Sequence, residues 1–195
     1  MIKPFDFYFD FASPYTFLAH KKIRRIENET LVKINYMPIL LGGLLKLTGI
    51  KANVDIPIKG KYMIKDCKLL AEKLNIEFNF NSYFPIITLN LMRCVLVAEK
   101  WGIAHKLINI FFDAIWENGM NLNDGKIIEK LLKSLNLDSK IFLTEATEPK
   151  IKDELKNRTI YAHKKGIFGT PTFIVNNKIF WGQDRLEFAL KEAQN

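Results

Sequence analysis

The chain has 195 residues, 48% hydrophobic and 26% charged, with a formal net charge of +8 at pH 7. That length suits one domain, or one domain carrying a large insertion, with enough apolar residues for a packed core and no run near the roughly 18 apolar residues of a membrane span. The basic residues are scattered over helical surface positions, which argues against nucleic acid as a partner, while a smaller anionic ligand would use the same field.

At the amino end Lys3, Asp6 and Asp10 rule out the apolar centre of a signal peptide, so the expected location is cytoplasmic. Phe5 to Phe11 is apolar nearly throughout, as in a strand covered on both faces. It stops at Ser13-Pro14, and a helical stripe of Phe17, Leu18, Ile23 and Ile26 runs to about Asn28. Leu31 to Met37 reads as a second strand, parallel to the first in a βαβ unit. From Leu40 to about Leu155 the periodicity is helical, in Lys61–Leu74, Leu89–Trp101, His105–Glu117 and Gly125–Leu135, punctuated by Pro57, Pro85, Gly102, Gly119 and Asp138. Ile151–Lys165 is a further helix. Thr172 to Val175 and Lys178 to Trp181 are strands about an Asn176-Asn177 hairpin turn, and Gln183 to Ala193 is a final helix. The order βαβ…ββα is the thioredoxin arrangement, an α/β fold with a large α-helical insertion. Residues 1–39 and 151–195 are expected to form the thioredoxin-like domain and 40–150 a helical insertion domain.

Cys67 and Cys94 lie on apolar helix faces and read as buried thiols. A disulfide framework or a zinc site needs more cysteines or paired histidines, and His20, His105 and His163 are isolated, so no metal is expected.

Two short stretches carry the chemistry. Pro14 suits the first position of a helix, which makes Ser13 its N-cap, and on these residues alone a cap is the simpler reading. The alternative is that this helix end, with its free N–H groups and a serine hydroxyl, faces a bound anion. In Gly169-Thr170-Pro171-Thr172 the proline opens a strand without an N–H to give, so a sheet edge is expected, with a cis peptide before it. Beside the Ser13 helix, such a proline would offer the backbone of Thr170 to an extended peptide ligand.

Ser13-Pro14-Tyr15, Lys59-Gly60-Lys61-Tyr62-Met63, Phe168-Gly169-Thr170-Pro171-Thr172-Phe173 and Trp181-Gly182-Gln183-Asp184-Arg185 occur in that order. Together they resemble the 2-hydroxychromene-2-carboxylate isomerase family, kin of the kappa-class glutathione transferases within the DsbA-like branch of the thioredoxin fold. The likeness spans essentially the whole chain. In DsbA-like oxidoreductases a C-x-x-C pair occupies the Ser13 to Thr16 stretch, so this chain resembles relatives without either thiol. The resemblance implies glutathione as cofactor, with Ser13 as the catalytic donor to its thiolate. Thr170, before Pro171, would pair with the cysteinyl unit, Lys59 would meet the glycine carboxylate, and Asp184 with Gln183 would hold the γ-glutamyl end. Two carboxylates and one ammonium in the ligand are complemented by a lysine, a helix amino end and an aspartate. Without the resemblance, Lys59 reads as a surface lysine and Asp184 as a helix-start residue.

Two positions depart from the family. Ile50 follows Thr48-Gly49, and Ile87 follows Phe84-Pro85-Ile86, where relatives often have asparagines that contact ligand; Asn53 is not taken as a replacement. The implied activity is a glutathione-dependent isomerisation of an aromatic ring-cleavage product. A kappa-class-like transferase is the alternative, and a redox-inert thioredoxin-fold binding module is the reading from another class. The implied partners are glutathione and a small aromatic or electrophilic substrate, in a homodimer.

Overall fold

The computed structural model describes residues 3–30 and 32–195. Strand β1 (Phe5–Phe9) carries Phe5, Phe7 and Phe9 on one face, in the main core. Tyr8 points to the other face, in a smaller cluster with Ile39, Leu44, Ala162 and Ile167. Both faces are covered, so the strand reads apolar without strict alternation. It ends before the expected Phe11. The buried carboxylate of Asp10 accepts the Ala12 and Leu41 N–H groups (3.0 and 2.7 Å) and turns the chain there.

Helix α1 (Pro14–Glu29) follows, and β2 (Ile34–Pro38) then pairs parallel with β1. The expected start of β2, Leu31, lies outside the described residues; Val32 donates its N–H to Thr30 Oγ1 (3.3 Å), and the ladder begins later. The next stretch is helical, as expected, in α2 (Leu41–Thr48), a 3-10 turn Asn53–Asp55, α3 (Pro57–Leu74), α4 (Leu89–Lys100), α5 (Ala104–Trp116), α6 (Gly125–Ser134), α7 (Ser139–Ala146) and α8 (Pro149–Lys164). Pro57 does not break a helix but opens α3 at its first position, where a missing N–H costs nothing, so Lys59 falls in the first turn. Two helices were not legible. The signal of α2 is weakened by Gly42-Gly43, and short α7 is set by Asp138, whose side chain accepts the Lys140 and Ile141 N–H groups, both at 3.0 Å.

Strand β3 (Thr172–Val175) returns antiparallel to β1 with Thr172 opposite Tyr8, and β4 (Lys178–Trp181) pairs with it through Asn176-Asn177. Both asparagines have positive φ, 46° and 62°, as a two-residue hairpin turn of this hand demands. The strand order is β2-β1-β3-β4. Pro171 therefore precedes an interior strand, not the expected edge. It is tolerated because it stands before the first ladder residue, and its carbonyl still accepts the Gly182 N–H at 2.9 Å. The Thr170–Pro171 peptide is cis, as expected, and so is Phe84–Pro85. The final segment divides into a 3-10 turn, Gln183–Arg185, and α9 (Leu186–Ala193).

Behind β1 the core is aromatic. Phe11 meets Phe112 edge-on at 4.7 Å, and His20 stacks on the same Phe112 ring at 4.7 Å. His20 is fully buried, with Nδ1 2.8 Å from Tyr36 Oη. Burial holds its pKa well below the ordinary imidazole value, and Lys21 and Arg24 push the same way. The folded protein thus keeps His20 neutral, while the unfolded chain takes up a proton below about pH 6.5. A depressed folded value means stability present above the unfolded pKa and lost as pH falls below it. The expected loss is about 1.4 kcal/mol per pH unit below about 6.5. Asp10 acts oppositely, its pKa raised chiefly by burial, but only below its own folded value. Urea unfolding from about pH 7.5 to 5.5 should show this slope, and His20→Gln should flatten it; an unchanged slope in the variant would assign the acid loss elsewhere.

Candidate functional site

Ser13 is presented by a turn held from three sides. Asp10 fixes Ala12 from below, Trp116 of α5 donates its indole N–H to Phe11 O (2.8 Å), and the Ser13 hydroxyl donates to Thr170 O (3.1 Å). The same hydroxyl accepts the Thr16 N–H at 3.2 Å, so Ser13 is the N-cap expected of it. The first turn of α1 carries no acidic residue and Pro14 has no N–H. Among the described residues the Tyr15 N–H meets no backbone acceptor. The positive end of α1 is therefore open toward whatever lies beside Ser13.

Thr170 and Ser13 are 6–8% exposed, and the Thr170 N–H meets no backbone acceptor among the described residues. The hydroxyls of Thr16 and Thr170 are buried without a hydrogen-bond partner among the described residues. Unused polar groups concentrated at one buried place are uncommon in a folded chain. One free backbone N–H and one carbonyl at Thr170 form the half-ladder an extended peptide pairs with.

A cavity of about 390 Å³ opens beside this turn, lined by Tyr15, Asn53, Ile58, Lys59, Tyr62 and Met63. The structure thus brings Lys59 to the same wall as Tyr15, two residues from Ser13. Tyr15 donates its phenol to Asp66 of α3 (2.8 Å), which ties the Lys59 helix to the Ser13 helix. Burial first, then this carboxylate, pushes the Tyr15 pKa upward, so the phenol stays protonated. Farther along, Arg25 of α1 donates to the last carbonyls of α3, at Leu74 and Asn75. Asn53, set aside on sequence grounds, lines the cavity next to Lys59. Ile50 and Ile87 are 46% and 74% exposed, and neither lines it.

The carboxyl-terminal residues are less closely joined to Ser13. The turn at Gln183–Arg185 packs along α1, with Lys22 Nζ donating to Gln183 O (3.1 Å). The Gln183 side chain is buried. Asp184 is exposed and pairs with its neighbour Arg185 at 2.8 Å; among the described residues it makes no hydrogen bond or ion pair with Ser13 or Lys59. Its placement follows from Gly182, whose φ of 110° excludes other residues and whose added Cβ would lie 2.6 Å from Asp184 Oδ1. At Gly169 the Trp181 ring lies close enough to meet an added Cβ at 2.8 Å, and Phe168 packs on that ring at 4.8 Å. An aromatic wall thus borders the Thr170–Pro171 step.

Sequence reasoning missed Asp10, Trp116 and the Tyr15–Asp66 tie. Asp10 had a signal, an acid closing an otherwise apolar strand. Asp66 had none, since a helical aspartate next to lysines looks like any solvated position.

A family model described as a DSBA-like thioredoxin domain matches residues 5–194. The chain belongs to the DsbA-like thioredoxin family. It is 28% identical over 190 residues to a 2-hydroxychromene-2-carboxylate isomerase of Sphingobium xenophagum, covering 96% of each chain. It is 25% identical over 196 residues to glutathione S-transferase kappa 1 of Homo sapiens, covering 93% of this chain and 87% of the relative. A solved structure of 2-hydroxychromene-2-carboxylate isomerase matches with TM-score 0.84 at 24% identity, over 98% of this chain and 94% of that one. The likeness to the isomerase family and the thioredoxin-like fold, both read from the sequence, are borne out. So is the expectation of an enzyme, since these relatives are isomerases and transferases.

Within the DsbA-like family this member differs where redox chemistry would sit. Ser13 and Thr16 stand at the helix start, and its two thiols, Cys67 and Cys94, are free and buried. Burial pushes Cys67 and Cys94 up to about 12, Asp66 adding to the shift at Cys67. A thiolate is the reactive form, and neither thiol supplies one near neutral pH. The protein should not accelerate insulin reduction by dithiothreitol. Acceleration that survives replacing both cysteines by alanine would contradict this.

Proposed function

We infer that the protein is a glutathione-dependent isomerase of the 2-hydroxychromene-2-carboxylate isomerase type. The observation that carries the reading is the Ser13–Thr170 pair at the open amino end of α1, beside the cavity that holds Lys59. The donor set suits glutathione: an N–H and a carbonyl for the cysteinyl unit at Thr170, before Pro171, a hydroxyl and helix end for the sulfur, and a lysine for the glycine carboxylate. Asp184 and Gln183, on the turn along α1, would take the γ-glutamyl end. When bound, glutathione would supply a thiolate that adds to an electrophilic carbon of an aromatic ring-cleavage product and leaves again unchanged.

The chain's own part is binding and ionisation. Ser13 and the α1 amino end favour the anionic sulfur, by roughly 1.5–3 kcal/mol for a hydrogen bond to a charged acceptor and up to about 1 kcal/mol for the helix end. Because the anion is the stabilised form, binding should tighten as pH rises from the bound to the free thiol pKa and then level off. Tyr15, Tyr62, Ile58 and Met63 give the cavity an apolar wall for a small aromatic or electrophilic partner. The reading also takes the enzyme as cytoplasmic and homodimeric, following the resemblance.

A kappa-class-like transferase uses the same thiolate but ends in a stable conjugate. The isomerase is favoured because the Sphingobium isomerase is 28% identical to this chain and the human transferase 25%. Turnover of 2-hydroxychromene-2-carboxylate with quantitative recovery of glutathione supports the isomerase; a conjugate of glutathione selects the transferase, and no glutathione binding selects a binding module. By calorimetry, Lys59→Ala and Asp184→Ala should each weaken glutathione by roughly 5- to 150-fold, or 1–3 kcal/mol. Lys61→Ala, an exposed control on the same helix, should change it by under about 1 kcal/mol. Equal affinities in all four proteins would return Lys59 and Asp184 to surface roles.

A further inference from the structure

The Ser13 hydroxyl carries one proton, and its position is fixed by its neighbours. Thr170 O can only accept, so the 3.1 Å contact is a donation from Ser13. Thr16 N–H can only donate, so its 3.2 Å contact occupies the acceptor side of the same oxygen. The proton that would stabilise a bound sulfur is already in use, on a carbonyl 157 residues away in sequence. Both residues are buried, and the unpartnered hydroxyls belong to Thr170 itself and to Thr16, the N–H donor to Ser13 Oγ.

We propose that Ser13 and Thr170 form an exchange pair, in which Ser13 turns its O–H hydrogen bond from Thr170 O to a bound thiolate when the ligand's own amide N–H replaces it on Thr170 O. The exchange requires only rotation of the hydroxyl proton, and no heavy atom has to move. A second lone pair on Thr170 O does not remove the conflict, because the contest is over one proton and not over the acceptor. A thiol without a neighbouring amide has nothing to offer in return. Turning Ser13 toward its sulfur would strand a buried carbonyl, a penalty of the same size as the gain. The site therefore selects thiols built into a peptide, with the amide on the residue that carries the sulfur, and leaves simple thiols protonated. The thiol S–H ionises, its electron pair staying on sulfur and its proton passing to solvent, while Ser13 keeps its own O–H bond and no other covalent bond changes.

This inference rests on the glutathione reading and adds a selectivity rule to it. The test compares glutathione with its depsipeptide analogue, in which an ester oxygen replaces the cysteinyl N–H. Ultraviolet thiolate absorbance of each bound ligand is followed across pH, in the wild type and in Ser13→Ala. In the wild type, bound glutathione should ionise roughly 1–2 pH units below the bound analogue, about 10- to 100-fold in the ionisation constant. In Ser13→Ala the two ligands should titrate together, since no proton remains to be exchanged. Equal titration of both ligands in the wild type would overturn the exchange while leaving glutathione as the cofactor. A difference that persists undiminished in Ser13→Ala would overturn it too, because the amide would then act independently of Ser13. If the wild type binds no glutathione at all, the functional reading falls and takes the exchange with it.

Discussion

The hydrogen bond from Ser13 Oγ to Thr170 O joins the first turn of α1 to the step before β3. It fixes where the amino end of a 16-residue helix points, and hence where the N–H groups of that end are available. A thioredoxin-type sheet makes the meeting possible. Because β3 runs antiparallel to β1 beside it, the residues that enter β3 arrive where β1 ends and α1 begins.

Keeping that end open has a structural cost that the surroundings carry. Asp10 is fully buried, and burial raises its pKa even though the Ala12 and Leu41 N–H groups donate to it. A buried carboxylate is tolerated only when its acceptors are filled, and here each donor comes from a different element. The turn before Ser13 and the start of α2 are thereby locked together. Trp116 adds a hydrogen bond to Phe11 O from the far side of the core. The Lys59 helix is secured to α1 at two points, through Asp66 near the site and through Arg25 at its far end.

Much of this was legible because local chemistry and tertiary need agreed. Ser13-Pro14 reads as a helix start and is one; Asn176-Asn177 reads as a hairpin turn and is one. The two thiols read as buried and are. Errors fell where a residue's meaning depends on its neighbours in space. The helix read from Lys61 begins at Pro57, because at the first position of a helix a proline's missing N–H costs nothing. Pro171 looks like an edge residue because the sequence shows the hairpin partner of β3 but not that β1 pairs with its other side. The site itself was legible only in part. Ser13 and Thr170 meet as expected and Lys59 lies on the adjoining cavity, but the Asp66 tie and the Asp10 clamp are long-range bonds between ordinary-looking residues. Asp184 stands apart, on a turn whose shape Gly182 sets.

The central claim is that this helix end binds glutathione as a thiolate. A free thiol is mostly protonated near neutral pH, so binding it as the anion must release a proton to the buffer. Calorimetric titration of glutathione at neutral pH, repeated in two buffers of different ionisation enthalpy, counts that proton directly. The account predicts release of about one proton per glutathione bound, falling toward none as pH rises past the free thiol pKa. Binding with no proton released at neutral pH would contradict it.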